Sequence, residues 1–187
     1  MDRDAKRRLV EALILASPEP ISSTRLAELV PHGKPGLVTD LVGELNEFYE
    51  QHERGFEIWE VAGGFQLRTR TDLASYVQQM HELRPARLSR AALETLAIVA
   101  YRQPVTRAEI EHVRGVDCSG ALRRLLELRL VKILGKDKGP GRPIIYGTSR
   151  EFLSLFNLAD LRDLPTLEDF DLRPQELPPA AQGGEPG

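Results

Sequence analysis

Any chemistry in this chain has to come from a small set of side chains. Four histidines, His32, His52, His81 and His112, and one cysteine, Cys118, are the candidate bases, nucleophiles and soft metal ligands. The histidines lie far apart, and none has a cysteine or carboxylate at metal-ligand spacing. His112 follows Glu109 by three residues, which a solvated helix face explains. Cys118 has Arg114 nearby, a charge that favours thiolate. No histidine is placed to activate it, so a loop or core thiol is expected. Gly135-Lys-Asp-Lys-Gly-Pro-Gly141 resembles a phosphate loop in composition only. It lacks the order Gly-x4-Gly-Lys-Ser/Thr and precedes a strand instead of a helix, so its glycines and lysines fit a wing tip better. No catalytic residue, metal ligand or cofactor site is assigned, and the chain is expected to be non-enzymatic and cofactor-free.

The elements that position these side chains emerge from an internal repeat. Leu9-Val-Glu-Ala-Leu-Ile-Leu-Ala16 is echoed by Ala92-Leu-Glu-Thr-Leu-Ala-Ile-Val99, Pro20-Ile21 by Pro104-Val105, and Leu26 and Leu29 by Ile110 and Val113. Each copy opens with a helix of apolar periodicity, Asp4 to Ala16 and Ser89 to Tyr101, the latter with Ser89 as N-cap. Pro18, Pro20 and Pro104 stop these helices. Ser22 or Ser23 and Thr106 then cap second helices over 24–30 and 107–113, and Thr106 with Glu109 has capping-box spacing. Third helices are predicted over 37–51 and 119–128. After each, the period becomes alternating. Phe56, Ile58 and Val61, then Phe65 and Leu67, flank Gly63-Gly64, while 131–134 and 144–146 flank the looser glycine loop. Closing helices are predicted over 71–81 and 150–156. Three helices and a two-stranded ribbon, twice over, predict a mainly α chain with small β-ribbons (α+β) built as two tandem winged-helix domains. Their expected limits are 1–82 and 89–168, with a linker at 83–88. The Pro/Gly-rich tail 169–187 is too poor in apolar surface to offset its ordering entropy and is expected to be disordered.

Charge separates the copies. Residues 1–86 carry 10 basic and 14 acidic side chains, residues 88–150 carry 12 and 6, and residues 151–187 carry 2 and 8. In a helix-turn-helix the third helix enters the major groove. In the second copy Arg123 and Arg124 share the exposed side of that helix with Glu127, and Lys136, Lys138 and Arg142 lie on the wing. Arg123, Arg124, Lys136 and Lys138 are the candidate DNA contacts. The first copy's third helix instead exposes Asp40, Glu44, Glu47 and Glu50, a face that repels DNA. A protein-binding module is preferred, and a winged-helix transcription regulator is the alternative. With no run near the roughly 20 apolar residues of a membrane span and a single cysteine suited to a reducing compartment, a cytoplasmic location is expected.

Ala91-Ala-Leu-Glu-Thr-Leu-Ala-Ile-Val-Ala-Tyr-Arg-Gln-Pro-Val-Thr-Arg-Ala-Glu-Ile110 with Arg114-Gly-Val116, and Gly141-Arg-Pro-Ile-Ile-Tyr-Gly-Thr148 with Glu151-Phe-Leu and Leu164-Pro165, resemble the signature segments of the segregation and condensation protein B family. Leu45-Asn46 and Val61-Ala-Gly-Gly-Phe-Gln-Leu-Arg-Thr-Arg70 extend the resemblance to the first copy, so that it covers roughly 9–168. It implies a homodimer formed mainly through the first domain and a second domain that binds the kleisin subunit (segregation and condensation protein A). That kleisin bridges the ATPase heads of a structural-maintenance-of-chromosomes dimer, and the assembly condenses and segregates the nucleoid. Direct contact with DNA is left open, and no membrane contact is implied. Tyr101, Arg102, Gln103, Pro104, Arg142, Pro143 and Tyr146 are the candidate kleisin patch, with a buttress of the wing as the competing role. Leu41, Leu45, Phe48 and Tyr49 are the candidate dimer surface, with ordinary core packing as the competing role. Two departures from the family pattern stand out. Arg129 and Asn157 occupy positions where glycine is usual. A non-glycine residue is disfavoured at a left-handed helix end, so the turn at Arg129 is expected to be strained or differently closed, whereas asparagine tolerates that region.

Overall fold

The computed structural model describes residues 1–80 and 88–166. Most of the linker, together with the tail from 167 onward, lies outside the described residues, as does His81. The first unit runs α1 (Arg3–Ala16), α2 (Ser23–Leu29), α3 (Pro35–Gln51), β1 (Phe56–Val61), β2 (Gly64–Thr69), a 3-10 turn (Thr71–Leu73) and α4 (Ala74–Met80). The second runs α5 (Arg90–Arg102), β3 (Val105–Thr106), α6 (Arg107–Arg114), α7 (Ser119–Glu127), β4 (Val131–Lys136), β5 (Ile144–Thr148), α8 (Arg150–Leu155) and a 3-10 turn (Leu161–Asp163). Each is a three-helix cluster closed by an antiparallel ribbon. Each also has its own core, around Ile14, Leu26, Leu41 and Tyr49 in one and around Leu96, Ile110, Leu125 and Phe152 in the other.

Local chemistry fixes the helix starts. The side chains of Asp2, Ser22, Ser89, Thr106 and Ser149 each accept a backbone N–H from the first turn that follows. At α6 the box is reciprocal, because the Glu109 carboxylate accepts the Thr106 N–H at 2.7 Å. These hydrogen bonds hold the Glu109 pKa below its ordinary value. A carboxylate depressed in the folded state stabilises above its unfolded pKa of about 4.3, and that support is lost as pH falls through the lower folded value. Asp117 and Asp160 are depressed in the same way by bonds to Ser119 and Arg162. Glu109→Gln is therefore expected to flatten, but not abolish, the fall of Tm between about pH 5 and 3. An unchanged slope would show that the carboxylate does not support α6.

The ribbons refine the sequence reading. The first hairpin turns at Ala62-Gly63, with φ of 51° and 71°, and Gly64 already pairs with Val61. Gly64 is required for another reason: a Cβ there would stand 2.8 Å from the Ile21 carbonyl carbon. That close approach lets Ile21 and Phe65 exchange backbone bonds of 3.0 and 2.9 Å. The second unit repeats the device as β3, which pairs with β5 and makes a sheet of order β3-β5-β4.

Arg129 and Asn157 both adopt φ of 57°. At the end of α7, Leu130 N–H reaches Leu125 C=O at 2.9 Å and Arg129 N–H reaches Leu126 C=O at 3.0 Å, a Schellman closure with Arg129 in the left-handed position. The left-handed region costs a side-chain-bearing residue about 1–2 kcal/mol, and glycine's extra unfolded-state freedom costs about 0.4–1 kcal/mol. Arg129→Gly is expected to stabilise by roughly 0.5–1 kcal/mol in denaturant melts. A loss of stability would mean that the Arg129 side chain carries packing worth more than the strain.

The two units touch. The hairpin turn of the first donates Ala62 N–H to Leu158 C=O at 2.8 Å and Gly63 N–H to Ala159 C=O at 2.9 Å. Beside it, Arg68 on β2 donates to Ser154 O and Oγ, both at 3.2 Å, and to Asn157 Oδ1.

Candidate functional site

The seven residues of the expected kleisin patch divide into two groups. Gln103, Tyr146 and Pro143 belong to the scaffold. The Gln103 amide donates to Ala100 O at 3.1 Å and Thr148 Oγ1 at 2.9 Å, and it accepts the Thr148 N–H at 2.8 Å. This ties the end of α5 to β5. Tyr146 is buried between Val105 and Ile133 in the sheet. Pro143 O accepts the Asp137 N–H at 2.8 Å and closes the wing loop. Tyr101, Arg102, Pro104 and Arg142 are exposed. Tyr101 donates its hydroxyl to Pro165 O at 2.7 Å, so one signature block fastens the other to the end of α5. Arg102 and Pro104 line a groove of about 550 Å³ with Val105, Ala108, His112 and Val113. No hydrogen bond among the described residues joins Arg142 to Tyr101; the wing and the helix end remain separate features.

In the first unit, Leu41, Leu45 and Tyr49 follow one stripe of α3 and are 0, 3 and 2% exposed. Their surface faces their own core, where the Tyr49 ring meets Phe56 edge-on at 5.0 Å. Tyr49 also donates to Glu11 Oε1 at 2.8 Å, and burial pushes its phenol pKa up. Phe48 alone of the four is exposed, stacked on His52 at 4.0 Å. Asn46, from the same signature block, holds β1 by taking the Ile58 N–H and donating to its C=O, both at 2.8 Å.

The third-helix charges are not equivalent. Arg123 and Arg124 both lean on Glu127, at 3.8 and 3.4 Å, whereas Lys136 and Lys138 are exposed on the wing. On α3, Asp40, Glu47 and Glu50 face solvent, and Glu44 pairs with Arg3. Cys118 is buried, and burial raises its thiol pKa. Among the described residues no three His, Cys, Asp or Glu side chains converge as a metal site. No helix among them is long and apolar enough to cross a membrane.

Two features went unread in the sequence. Arg114 is almost fully buried, donating to Asp117 O at 3.2 Å and Glu94 at 3.4 Å while its Nε finds no acceptor. It pins the α6–α7 loop to α5, which gives Arg114-Gly-Val116 a structural role. A cleft of about 540 Å³ also lies between the two units, with Pro18, Pro20 and Ala62 on one side and Leu126, Arg129 and Val131 on the other.

This architecture, with both signature blocks in place, matches the family described as segregation and condensation complex subunit ScpB over residues 8–167. The chain belongs to that family. It is 51% identical over 170 residues to segregation and condensation protein B of Syntrophotalea carbinolica, covering 91% of this chain and 86% of that one. It is 48% identical over 166 residues to the Moorella thermoacetica protein of the same name, covering 89% and 85%. Among solved structures, a dimer of an ScpB N-terminal domain complexed with an ScpA peptide is 26% identical, with a TM-score of 0.37, covering 44% of this chain and 92% of that one. In this chain the exposed Arg102 and Pro104 border the groove on α6, whereas Gln103 and Tyr146 hold up the wing.

Proposed function

We propose that this ScpB-family chain is a non-enzymatic adaptor. In this reading it homodimerises through its first winged-helix unit, binds the kleisin subunit, and acts through the kleisin on the structural-maintenance-of-chromosomes ATPase at the nucleoid in the cytoplasm. The observation that carries the reading is the family match running through both units, 8–167. Surface chemistry agrees with it. The α3 face that would have to enter a DNA groove carries Asp40, Glu47 and Glu50, and on α7 the two arginines are partly neutralised by Glu127. The exposed remainder of the expected patch, Tyr101 together with Arg102 and Pro104 of the groove on α6, is one surface offered to the kleisin; Phe48 is the exposed aromatic offered to the dimer.

The test is co-purification of the chain with the kleisin of its own genome, paired with sedimentation and with duplex-DNA titration. A species of about twice 20.9 kDa that captures the kleisin and binds free duplex weakly is the expected result. A specific, salt-steep complex with one DNA sequence and no kleisin capture would make the chain a transcription regulator instead.

A further inference from the structure

Among the described residues the sheet of the second unit ends on β4, and no further strand pairs with its outer edge. Register determines which groups face outward. Ser149 N–H donates to Leu130 C=O at 3.2 Å, so that pair is hydrogen-bonded across the ladder. Bonded and non-bonded pairs alternate in an antiparallel ladder. Val131 opposite Thr148 is therefore non-bonded, and so is Ile133 opposite Tyr146. The N–H and C=O groups of Val131 and Ile133 point away from β5; Val131 is buried, but Ile133 is exposed and no strand among the described residues covers it. Sheet edges are ordinarily blunted by charge, proline or a covering segment. This edge carries Lys132, Lys136 and a register shift after Ile133, yet between the lysines it still presents Ile133 and Leu134 at 56 and 49% exposure.

The start of β4 runs into the cleft between the units, since Val131 and Lys132 both line it. Edge and cleft thus form one track, with an apolar floor of Pro18, Pro20, Leu126 and Val131. Its charges select an occupant. Arg129, Lys132 and Arg150 line the cleft and Lys136 lies farther along the edge, and among the described residues none of these side chains has a hydrogen bond or ion pair in the structure. The carboxylates on the cleft are Glu19 and Glu151. Cations therefore outnumber carboxylates, yet the two glutamates would repel the regular negative charge of a nucleic-acid backbone. A polypeptide can place acidic side chains against the cations and apolar ones beside the two glutamates, and its main chain satisfies the outward groups of Ile133.

We propose that this track receives an extended, acidic-and-apolar segment of a partner protein, added as a strand to β4 with one end in the inter-unit cleft. The inference rests on the adaptor reading, the partner being the kleisin. The second unit would then hold its partner through backbone pairing, with Lys132 and Lys136 selecting carboxylates and Ile133 selecting apolar side chains.

Calorimetric titration of the full chain with the intact kleisin, together with hydrogen exchange across 130–136, tests this. Ile133→Pro removes an outward N–H without breaking a ladder bond, and Lys132→Glu reverses an exposed charge. Each is expected to weaken binding about tenfold or more, while Ile133→Val stays within about twofold of the parent. Kleisin should slow exchange at Ile133. Lys132→Glu guards against a proline variant that fails to fold, and thermal melts verify both. Kleisin binding with parental affinity to both folded variants, and no new protection on β4, would overturn the inference and leave the adaptor reading standing. Failure of the parent chain to bind kleisin would overturn both. Edge protection already complete in the free chain, or rising with its own concentration, would assign the edge to the chain itself or to a second copy and overturn the proposal.

Discussion

Replacing Gln103 with leucine is expected to destabilise the second unit by about 3 kcal/mol, although the residue lies in the most family-like stretch of the surface. Its amide makes two donations and accepts from both the N–H and the hydroxyl of Thr148, and Thr148 is 5% exposed. Leucine keeps the volume and removes every partner. The Thr148 N–H and the Ala100 carbonyl are then orphaned, at about 1–3 kcal/mol each. The amide also packs closely on the strand: a Cβ on neighbouring Gly147 would stand 2.7 Å from the Gln103 oxygen. Thr148→Val tests the assignment from the other side. It deletes the hydroxyl but leaves the backbone bond, so about 1 kcal/mol is expected, and the double variant should cost less than the sum. For a unit of this size, 3 kcal/mol lowers Tm by about 12–24 °C. A loss under about 1 kcal/mol would mean that water replaces the amide, and Gln103 would return to the list of residues free to meet a partner.

The same residues show what could be read from the sequence and what could not. Helix limits, caps and the duplicated order came from apolar period and from Ser89, Thr106 and Glu109, whose chemistry is local. β3 escaped because Val105-Thr106, between a proline and a helix cap, is too short to alternate. Alternation also leaves open which side of a strand is buried. Tyr146 reads as a wing aromatic until β3 and β4 are placed on either side of it. Leu41, Leu45 and Tyr49 lie on a single helical stripe, and only the position of Phe56 over Tyr49 shows that one core absorbs all three. The cleft was illegible for a deeper reason. It depends on Ala62 meeting Leu158 and on Arg68 meeting Ser154, contacts across more than 80 residues that no local period encodes. Yet Arg68 stands inside the Val61–Arg70 signature block, where neither core packing nor hairpin geometry requires an arginine.

Arg68→Ala is therefore expected to loosen the two units from each other while leaving each folded. The guanidinium lies over Trp59 at 5.9 Å, is steadied by Gln66, and reaches the last turn of α8 in the other unit, where a cation meets the negative helix end. Burial lowers its pKa from the ordinary value, the mark of a charge partly withdrawn from water and compensated by these acceptors. Hydrogen bonds to a charged group contribute about 1.5–3 kcal/mol, and the two backbone bonds from Ala62 and Gly63 about 1 kcal/mol each. Because Arg68 is only half-buried, a loss of about 2 kcal/mol is the reasonable expectation. That shifts a closed-to-open ratio about thirtyfold. Small-angle scattering should show a larger radius of gyration, and the melt should broaden toward two transitions. Arg68→Lys should recover little, since a single ammonium cannot reach Ser154 and Asn157 in one plane. An unchanged scattering profile in folded Arg68→Ala would show that the hairpin turn alone sets the arrangement. If the profile does open, the cleft beside β4 opens with it. A partner segment that needs both walls must then bind Arg68→Ala more weakly, although Arg68 is not among the residues lining the cleft.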